Sequence, residues 1–487
     1  MRLSSARLAH LPPAVRRPSY RPDEHGVGIV HLGIGAFHRA HQAAVFDDVL
    51  TREGGDWRIL GASLRSRSVH DQLAPQDGLY SLTVRNGAVE ESRIIGAVAG
   101  VLVAPEQPPA LVEALARPAT RLVTLTITEK GYARNPATGR LDRAAPGIAG
   151  DLEGSVDPSS ALGFLTGAFR LRRERGERPP VLLSCDNLPD NGRALRSVLL
   201  EFAAGIDPAL AEWIDRHLAT PSTMVDRIVP ATTGSDLDRA EAILGVRDEG
   251  AVFTEPFTQW VVEDDLPGDM PDLAAAGVQL VADVRPFELA KLRMLNGSHS
   301  TLAYLGALAG HRFVHEAIAD PALAAVVRRL MLGEAAATLP ATDGLNPASY
   351  ADALIRRFNN RALDHRLRQI AMDGSQKLPQ RLAGTIADAL RLGLPYEAAT
   401  LGVAAWIAWV AQEGRALDDP LADRLAATAD AAGRDPEALA GALLGVAEIF
   451  GEIGSAEPVR QAVTEHLRTI LTRGARAAAA EMVAEPA

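Results

Sequence analysis

The segment 286–299, which reads PFELAKLRMLNGSH, contains four side chains that together could transfer a proton. Its lysine, Lys291, is one of three lysines in a chain where lysine and arginine together number 50. A desolvated lysine can lose its proton and act as a base, whereas an arginine cannot. Lys291 is therefore a candidate general base. The alternative is that Lys291 has no special role and is a lysine by chance in an arginine-rich chain.

An α-helix through this segment would gather polar groups on one face. At about 100° per residue, Glu288, Asn296 and His299 all fall within about 140° of Lys291. Leucines share that face, so the mixture matches neither a solvated stripe nor an apolar core stripe. The pattern indicates a polar site, with a buried polar network between domains as the alternative. These angles hold only if the dipeptide Asn296-Gly297 does not end the helix.

A strand, a tight turn and a helix are predicted near the N-terminus. The apolar run 28–32 is followed by a Gly-Ile-Gly turn at 33–35 and by residues 36–42, which have helical character. This order is typical of a dinucleotide-binding domain, where glycines let the backbone approach a pyrophosphate. His38 replaces the third glycine of the usual fingerprint, which predicts a wider spacing of helix and strand. His38 and His41 have no third ligand, and we interpret them as packing or phosphate contacts.

A second strand is predicted at 57–63, at the interval that a βαβ unit requires. NAD-specific domains usually carry an acidic residue at the end of this strand, where it binds the ribose hydroxyls. Here the strand is followed by Arg65 and Arg67 among serines. Two interpretations stay open: the arginines bind the 2′-phosphate of NADP, or they belong to a solvated loop.

Further strands predict a sheet with polar residues at its carboxyl edge. Segments 121–128 and 181–185 are predicted as buried strands, 79–84 and 93–98 as a small antiparallel addition, and 220–230 as an edge strand,. Ligands of doubly wound sheets collect at the carboxyl ends of strands, although Asp and Asn are also common turn residues. The polar residues at these ends are Glu129, Lys130, Asp186, Asn187 and Asn191.

The character of the chain changes at about residue 286. Glycine and proline become rarer, alanine and leucine dominate, and apolar residues recur at helical spacing,. We predict an α/β chain in which 1–285 form a Rossmann-like NAD(P)-binding domain with a small antiparallel addition. Residues 286–487 would form a mainly α-helical C-terminal domain for substrate and catalysis. Lys291 lies at the start of that domain, which predicts a site in the cleft between the domains.

Charge and cysteine content argue against several classes of protein. The formal net charge of −11 disfavours a nucleic-acid or anionic-membrane partner,. The single cysteine, Cys185, can form no intrachain disulfide or multi-cysteine metal site, which fits a reducing cytoplasm,. Residues 1–26 lack the apolar core of a signal peptide. The longest apolar run, 401–411, is too short to span a bilayer and is predicted as a buried helix,.

Seven motifs are distributed along nearly the whole chain. They are GIGAFHRAHQ (33–42), TITEKGY (126–132), SCDNLPDNG (184–192), TMVDRIVP (223–230), EPFTQW (255–260), KLRMLNGSH (291–299) and QIAMDGSQKLPQR (369–381). Together they resemble the long-chain mannitol dehydrogenase family, which also contains fructuronate reductases, or D-mannonate oxidoreductases. The resemblance implies a Rossmann-like first domain and a helical second domain.

The same resemblance implies roles for individual residues. Lys291 would be the catalytic base, Asn187 and Asn296 the pair that stabilises the oxyanion, and Glu288 the relay that exchanges protons with solvent. His299 would belong to the catalytic set and bind substrate. The other implied substrate-binding residues are Lys377, Lys130 and Gln369. The predicted cofactor-binding residues are Gly33, Gly35, Ala36, Phe37, His38, Arg65, Arg67, Glu129 and Asp226.

The implied reaction is the NAD(P)-dependent, metal-independent oxidation of a secondary alcohol at C2 of an open-chain polyol or aldonate. No tyrosine has a lysine four residues later, so the Tyr-x-x-x-Lys catalytic pair of other dehydrogenases is missing. One cysteine cannot supply the usual ligands of a zinc alcohol dehydrogenase,. We predict a mannitol-type polyol and its 2-ketose as substrates. Fructuronate reductase is the alternative, because Lys130 and Gln369 are closer to that branch, and a catalytically dead dinucleotide-binding sensor is a remote one.

Four further expectations complete this interpretation. The cofactor is NAD, with NADP as the alternative, and the partner is a small polyol or hexonate. We expect a monomer or weak oligomer in the cytoplasm.

Overall fold

The computed structural model describes residues 1–135, 138–154, 157–363 and 365–484. The chain divides into two units, Met1–Arg285 and Pro286–Ala487. Within the described residues, every β-strand lies in the first unit, and the second unit is helical. This arrangement confirms the predicted fold class, a Rossmann-like domain followed by a mainly α-helical one.

Three sheets are built from the strands of the first unit. These strands are β1 (Val27–Leu32), β2 (Arg58–Ser63), β3 (Tyr80–Asn86), β4 (Val89–Ile95), β5 (Val98–Val103), β6 (Leu122–Leu125), β7 (Val181–Ser184), β8 (Thr223–Asp226), β9 (Val252–Thr254), β10 (Gln259–Glu263) and β11 (Gln279–Val281). The helices of this unit are α1 (Ala36–Ala40), α2 (Gln42–Glu53), α3 (Ser68–Leu73), α4 (Pro108–Ala116), α5 (Ile148–Leu152), α6 (Ala161–Glu174), α7 (Asn191–Ile206), α8 (Pro208–His217) and α9 (Gly234–Leu244).

The main sheet is parallel and has the order β5-β2-β1-β6-β7. The strand order reverses at β1, because β2 and β5 lie on one side of it and β6 and β7 on the other. This is the doubly wound topology, in which ligands bind outside the carboxyl ends of the strands where the order reverses. The turn after β1 and the loop after β6 therefore meet at the expected position of a ligand.

Helices cover both faces of the main sheet, which explains why its strands are mostly apolar,. Successive strand residues point to opposite faces. Ile29 of β1 accordingly packs in one core cluster with Phe46 of α2, whereas Val30 packs in another with Phe164 of α6. The predicted strands at 28–32, 57–63 and 181–185 are all present.

The two smaller sheets are mixed. In the order β4-β3-β9, β3 is antiparallel to β4 and parallel to β9. In the order β11-β10-β8, β10 is parallel to β11 and antiparallel to the edge strand β8. The sequence predicted only an antiparallel pair at 79–84 and 93–98. Val98 instead opens β5, because the backbone leaves the hairpin at Gly96, whose N–H donates to Asp47 (2.8 Å).

The second unit consists of helices with three π-helical turns among them. The α-helices are α10 (Arg285–Ala290), α11 (Gly297–Leu308), α12 (Val314–Ala319), α13 (Pro321–Arg328), α14 (Pro347–Phe358), α15 (Leu367–Ala371), α16 (Gly374–Leu378), α17 (Gly384–Leu392), α18 (Glu397–Glu413), α19 (Ala422–Ala432), α20 (Pro436–Leu444), α21 (Ala447–Phe450), α22 (Glu457–Arg473) and α23 (Ala475–Ala484). The π-helical turns are Lys291–Asn296, Arg329–Ala335 and Pro379–Ala383.

The apolar run at 401–411 lies in α18, whose residues 398–410 are all buried. The prediction of a buried helix there is confirmed. Among the described residues, no single helix is long and apolar enough to cross a membrane. One pair, Pro436–Leu444 and Ala447–Ser455, meets the length and composition criteria together but is bent by 69°.

Candidate active site

One unbroken helical segment carries Lys291, Asn296 and His299. Helix α10 ends at Ala290, the π-helical turn follows directly, and α11 begins at Gly297. The N–H of Gly297 donates to the carbonyl of Leu292, five residues earlier. Asn296-Gly297 therefore does not end the helix. The uniform α-helical spacing assumed from the sequence is nevertheless wrong, because a π-turn holds one residue more per hydrogen-bonded ring. Such turns are frequent at functional sites.

A buried arginine holds the middle of this turn. Arg293 is 6% exposed, and its guanidinium donates to the carbonyl (3.2 Å) and hydroxyl (2.6 Å) oxygens of Thr338. It also donates to the carboxylate of Asp388 at 2.5 Å. Hydrogen bonds to charged groups are stronger than neutral ones. The wider turn between Lys291 and Asn296 is thus fixed by partners far along the chain.

The amine and the imidazole of the segment are both withdrawn from solvent. Lys291 is 8% exposed and His299 is 7% exposed, whereas Asn296 and Glu288 are half-buried. Burial penalises a charged group far more than a neutral one. The segment therefore holds one amine and one imidazole away from bulk water.

His299 is held as a neutral ring. It stacks on Phe358, with ring centroids 4.4 Å apart, and meets His365 edge-on at 5.4 Å. Burial, followed by the positive potential of His365, Arg357 and Arg381, lowers its pKa well below the usual value. Its buried Nε2 has no hydrogen-bond partner in the described part of the chain. A neutral imidazole with an open nitrogen can exchange a hydrogen bond with a hydroxyl group.

The third lysine, Lys377, is tied to backbone carbonyls. Its amine donates to Ile370 (3.3 Å) and Met372 (2.5 Å) and lies 4.0 Å from the carboxylate of Asp373. Burial and then the charge of Arg381 lower its pKa. Gln369, the other substrate-binding candidate of this region, is exposed on α15.

In the first unit, the turn after β1 requires glycine at one position. Gly33 has φ +94°, and a Cβ there would lie 2.1 Å from the carbonyl oxygen of Thr126. The hydroxyl of Thr126 in turn donates to the carbonyl of Gly33 (2.8 Å). Gly35, by contrast, has a negative φ, and a Cβ there would make only an ordinary contact, 3.8 Å from the carbonyl oxygen of Gly33. The close approach of residues 33 and 126 joins the turn after β1 to the loop after β6.

The side chain of His38 packs in the interior of the first unit. It is fully buried and stacks on His31 of β1, with ring centroids 3.3 Å apart and planes at 13°. Neither of its ring nitrogens has a hydrogen-bond partner among the described residues. Burial lowers the pKa of His38 well below its usual value and that of His31 to about 3. The ring of His38 thus packs inside the first unit, which is one of the two roles expected from the sequence.

The tautomer of His31 follows from its neighbours. Its Nδ1 lies 2.7 Å from the hydroxyl of Thr124, and its Nε2 lies 2.9 Å from that of Thr126. Thr126 already donates its one proton to Gly33, so the hydroxyl accepts from His31 and the ring proton lies on Nε2. The Gly-rich turn and the buried histidine pair thus form one connected network.

The two arginines after β2 are not equivalent. Arg67 forms ion pairs with Glu106 and, at 3.5 Å, with Asp71. Arg65 is exposed and has no hydrogen-bond or ion-pair partner in the portion of the chain that the structure describes. The strand itself ends in Ser63, which donates to the carbonyl of Ser66 (2.6 Å). Arg65 is consequently the group available to an anion.

The loops after β6 and β7 are joined by a carboxylate. Strand β6 ends at Leu125, earlier than predicted, because the N–H groups of Ile127 and Thr128 donate to Asp186 at 2.9 Å each. Asn187, next to Asp186, is exposed. Glu129 and Lys130 are exposed after Thr128, and Asp226 is buried at the end of β8.

Two residues that shape these loops and turns could not be recognised as important from the sequence. Arg293 carried no signal, because an arginine in an arginine-rich chain is not distinctive. Tyr132 appeared only as a letter of a motif, although its hydroxyl donates to Asp186 at 2.7 Å. No group of three or more His, Cys, Asp or Glu side chains in the described residues is placed to hold a metal ion.

A doubly wound parallel sheet with a glycine turn, joined to a helical unit with a buried lysine, is the architecture of a nicotinamide-dinucleotide-dependent secondary-alcohol dehydrogenase. The chain belongs to the mannitol dehydrogenase family: the family's Rossmann domain matches residues 27–275 and its C-terminal domain matches residues 283–471. The resemblance inferred from the seven motifs is confirmed.

Named relatives extend this result. The chain is 45% identical to the uncharacterized oxidoreductase YeiQ of Escherichia coli, covering 91% of both chains. It is 42% identical to the D-mannonate oxidoreductase of Escherichia coli, covering 95% of this chain and 97% of the relative. It superposes with a TM-score of 0.88 and 35% identity on Pseudomonas fluorescens mannitol 2-dehydrogenase, solved as a ternary complex with NAD and D-mannitol, over 100% of both chains.

Proposed function

We propose that the chain oxidises the C2 hydroxyl of a D-mannitol-type polyol to the 2-ketose with NAD, and catalyses the reverse reduction. One observation carries this proposal: a single helical segment presents Lys291, Asn296 and His299, and the amine and the imidazole are less than a tenth exposed. The full-length likeness to a mannitol 2-dehydrogenase supports the choice of substrate.

The proposed chemistry assigns one task to each group of the helical unit. Lys291 takes the proton of the substrate hydroxyl, because an amine can act as a general base whereas a guanidinium cannot. Glu288 passes that proton to solvent. His299 and Lys377 orient the substrate. The amides of Asn296 and of Asn187 donate to the developing alkoxide. One such donor stabilises the transition state by roughly 3 to 4 kcal/mol.

The first unit fits a dinucleotide at the turn after β1. The evidence for the fit is Gly33, whose φ of +94° and contact with Thr126 leave no space for a Cβ. The residues proposed to hold the cofactor are Gly33, Gly35, Ala36, Phe37, the backbone of His38, Glu129 and Asp226. Nicotinamide, when bound, supplies the acceptor for the hydride.

We further propose that the reaction needs no metal ion. Lysine and two amides together supply the base and the oxyanion stabilisation that a zinc ion provides in other alcohol dehydrogenases. Dialysis against a chelator followed by metal analysis tests this proposal. Full activity in metal-free protein is expected, and activity that returns only with an added divalent cation would contradict it.

Arg65 is proposed to extend cofactor use from NAD to NADP. It lies where NAD-specific domains carry an acid, and it has no partner among the described residues,. We expect Arg65→Ser to lower kcat/KM with NADP by about tenfold, the loss of about one charged hydrogen bond, and to leave NAD use nearly unchanged. Arg67→Ser is the matched control, because that guanidinium is already engaged by Glu106. Equal losses in both variants would contradict this assignment.

Reduction of fructuronate to D-mannonate is the second candidate function. The higher identity to a D-mannonate oxidoreductase, 42% against 38% for a mannitol 2-dehydrogenase of Phaeosphaeria nodorum, favours it. The exposed cation Lys130 at the end of β6 is a second supporting observation, because a hexonate carries a carboxylate and a polyol does not.

A substrate panel separates the two functions. Purified protein is assayed with mannitol, arabinitol, sorbitol and mannonate, each with NAD and with NADP, and in reverse with fructose and fructuronate. The proposal predicts the highest kcat/KM with mannitol and fructose. A clear preference for mannonate and fructuronate, abolished by Lys130→Ala, would establish the second function. Size-exclusion chromatography in the same buffer tests the expected monomer or weak oligomer.

A further inference from the structure

One backbone position of the first unit is strained in an unusual way. Five non-glycine residues in the described ranges have a positive φ, and four of them adopt the left-handed helical conformation. Thr128 is different, with φ 64° and ψ 162°. That region is populated almost only by glycine, and a β-branched residue there is a true outlier. Such strain persists only where surrounding contacts hold it.

The contacts that hold Thr128 converge on Asp186. One carboxylate oxygen accepts the N–H of Thr128 and the other accepts that of Ile127, both at 2.9 Å. The hydroxyl of Tyr132 donates to the same carboxylate at 2.7 Å and lies 2.5 Å from the hydroxyl of Ser184. The carboxylate therefore binds two successive peptide groups, and the second of them immediately precedes the strained Cα of Thr128.

Asp186 is itself fixed by a buried amide. The side chain of Asn191 donates to the carbonyls of Asp186 (3.2 Å) and Ser184 (2.9 Å) and, at 2.9 Å, to that of Thr223 at the start of β8. Asn191 is fully buried. The ends of β6 and β7 and the start of β8 are thus connected through two side chains.

The strained turn leads directly into two residues of the proposed site. Glu129 and Lys130 follow Thr128, and Asn187 follows Asp186. We propose that Asp186 is a positioning residue, which holds the strained backbone at Thr128 so that Lys130 and Asn187 stay in one fixed arrangement. The inference rests on the proposed roles of those two residues. Asp186 touches neither substrate nor cofactor in this proposal.

A double-mutant cycle between positions 186 and 128 tests the hold on the backbone. Asp186→Asn removes one acceptor, and we expect the Tm to fall by at least about 2 to 4 °C. Thr128→Gly removes the strain, so alone it should change the Tm by less than about 2 °C, because glycine also raises the entropy of the unfolded chain. The Tm of the double variant should return most of the way to that of the parent protein. Additive effects would overturn the proposal.

Ala133→Gly is the matched control for this cycle. Ala133 also has a positive φ, of 48°, at the other end of the short turn Glu129–Tyr132. Its N–H donates to the carbonyl of Lys130 and not to Asp186, so Ala133→Gly should give the same Tm change with and without Asp186→Asn. If the Asp186→Asn protein does not fold, Tyr132→Phe removes a single donor to the carboxylate and serves in the same cycle.

Measurements of kcat/KM distinguish a positioning role of Asp186 from a purely stabilising one. At 25 °C, well below the Tm, we expect Asp186→Asn to lower kcat/KM by at least about tenfold, as small misplacements of reacting groups do. Thr128→Gly should restore it to within about threefold of the parent. A lower Tm with unchanged kcat/KM would reduce Asp186 to a structural role. Full activity of Asn187→Ala would instead refute the proposed site, and the Tm coupling would still stand.

Discussion

The two units position their reactive groups by different physical means. In the first unit the groups lie on short loops at the ends of β6 and β7, where the backbone is held by the carboxylate of Asp186. In the second unit the amine, one amide and one imidazole lie along one helical segment, where the backbone bonds to itself and Arg293 holds the wider turn. A loop needs a hydrogen-bond partner for each peptide group, whereas a helix needs one only where it departs from its regular form.

The largest effect should come from the helical unit, where the proposed base lies. We expect Lys291→Ala to lower kcat by about 10²- to 10⁴-fold, since that is the usual contribution of a general base. Added methylamine should restore part of the rate in steady-state assays. The control is Asn296→Ala, which an amine cannot rescue. Near-normal activity of Lys291→Ala would remove it as the base and leave the loops of the first unit as the source of the chemistry.

The next largest effect should come from removing one amide in each unit. Asn187→Ala and Asn296→Ala should each lower kcat by about 10²- to 10³-fold with little change in KM, because the bonds they donate strengthen in the transition state. If both amides serve one oxyanion, the double variant loses less than the product of the two factors. Steady-state kinetics of all three variants measures this. A loss confined to KM at either position would make that residue a binder.

A smaller effect should follow from loosening the π-helical turn. Arg293→Met should lower the free energy of unfolding by about 1.5 to 3 kcal/mol, the value of hydrogen bonds to a charged group. Arg391→Met is the matched control: Arg391 donates to the same carboxylate of Asp388 but its side chain is 68% exposed, so a loss below about 1 kcal/mol is expected,. Urea unfolding gives both values. Equal losses would show that Arg293 does no more for the turn than a surface arginine.

The smallest effect concerns the buried histidine pair of the first unit. His38 stays neutral in the folded protein, because burial lowers its pKa, and it takes up a proton on unfolding below about pH 6.5,. Protonation of His38 in the unfolded chain should therefore lower the free energy of unfolding by up to about 1.4 kcal/mol per pH unit as the pH falls below 6.5. His38→Phe should remove that dependence at little cost, since the ring makes no hydrogen bond. Urea unfolding between pH 5 and pH 8 tests it, and an unchanged slope would contradict it.

The parts of the fold that follow from local pattern were predictable. Apolar runs bounded by glycine or polar residues predicted β1, β2 and β7, and helical periodicity predicted the character of the second unit. The mixed small sheet was not predictable in this way, because β9 pairs with β3 from about 170 residues away and only tertiary packing brings the two together,.

The candidate site was predictable in its residues and not in its geometry. The scarcity of lysine directed attention to Lys291, and the family motifs supplied the remaining residues. The π-helical turn could not be foreseen, since the side chains that fix it lie at positions 338 and 388. The stacking of the His38 ring could not be foreseen for a related reason: its partner, His31, lies on the strand before the turn.

The wider turn after Ala290 also limits how this motif can be engineered. If all six residues 291–296 closed as an ordinary α-helix, everything beyond them would rotate by about 100° relative to α10,. The same letters grafted onto a regular helix in another scaffold would therefore point their amide and imidazole elsewhere. A designer who wants this arrangement has to transplant counterparts of Thr338 and Asp388 along with it.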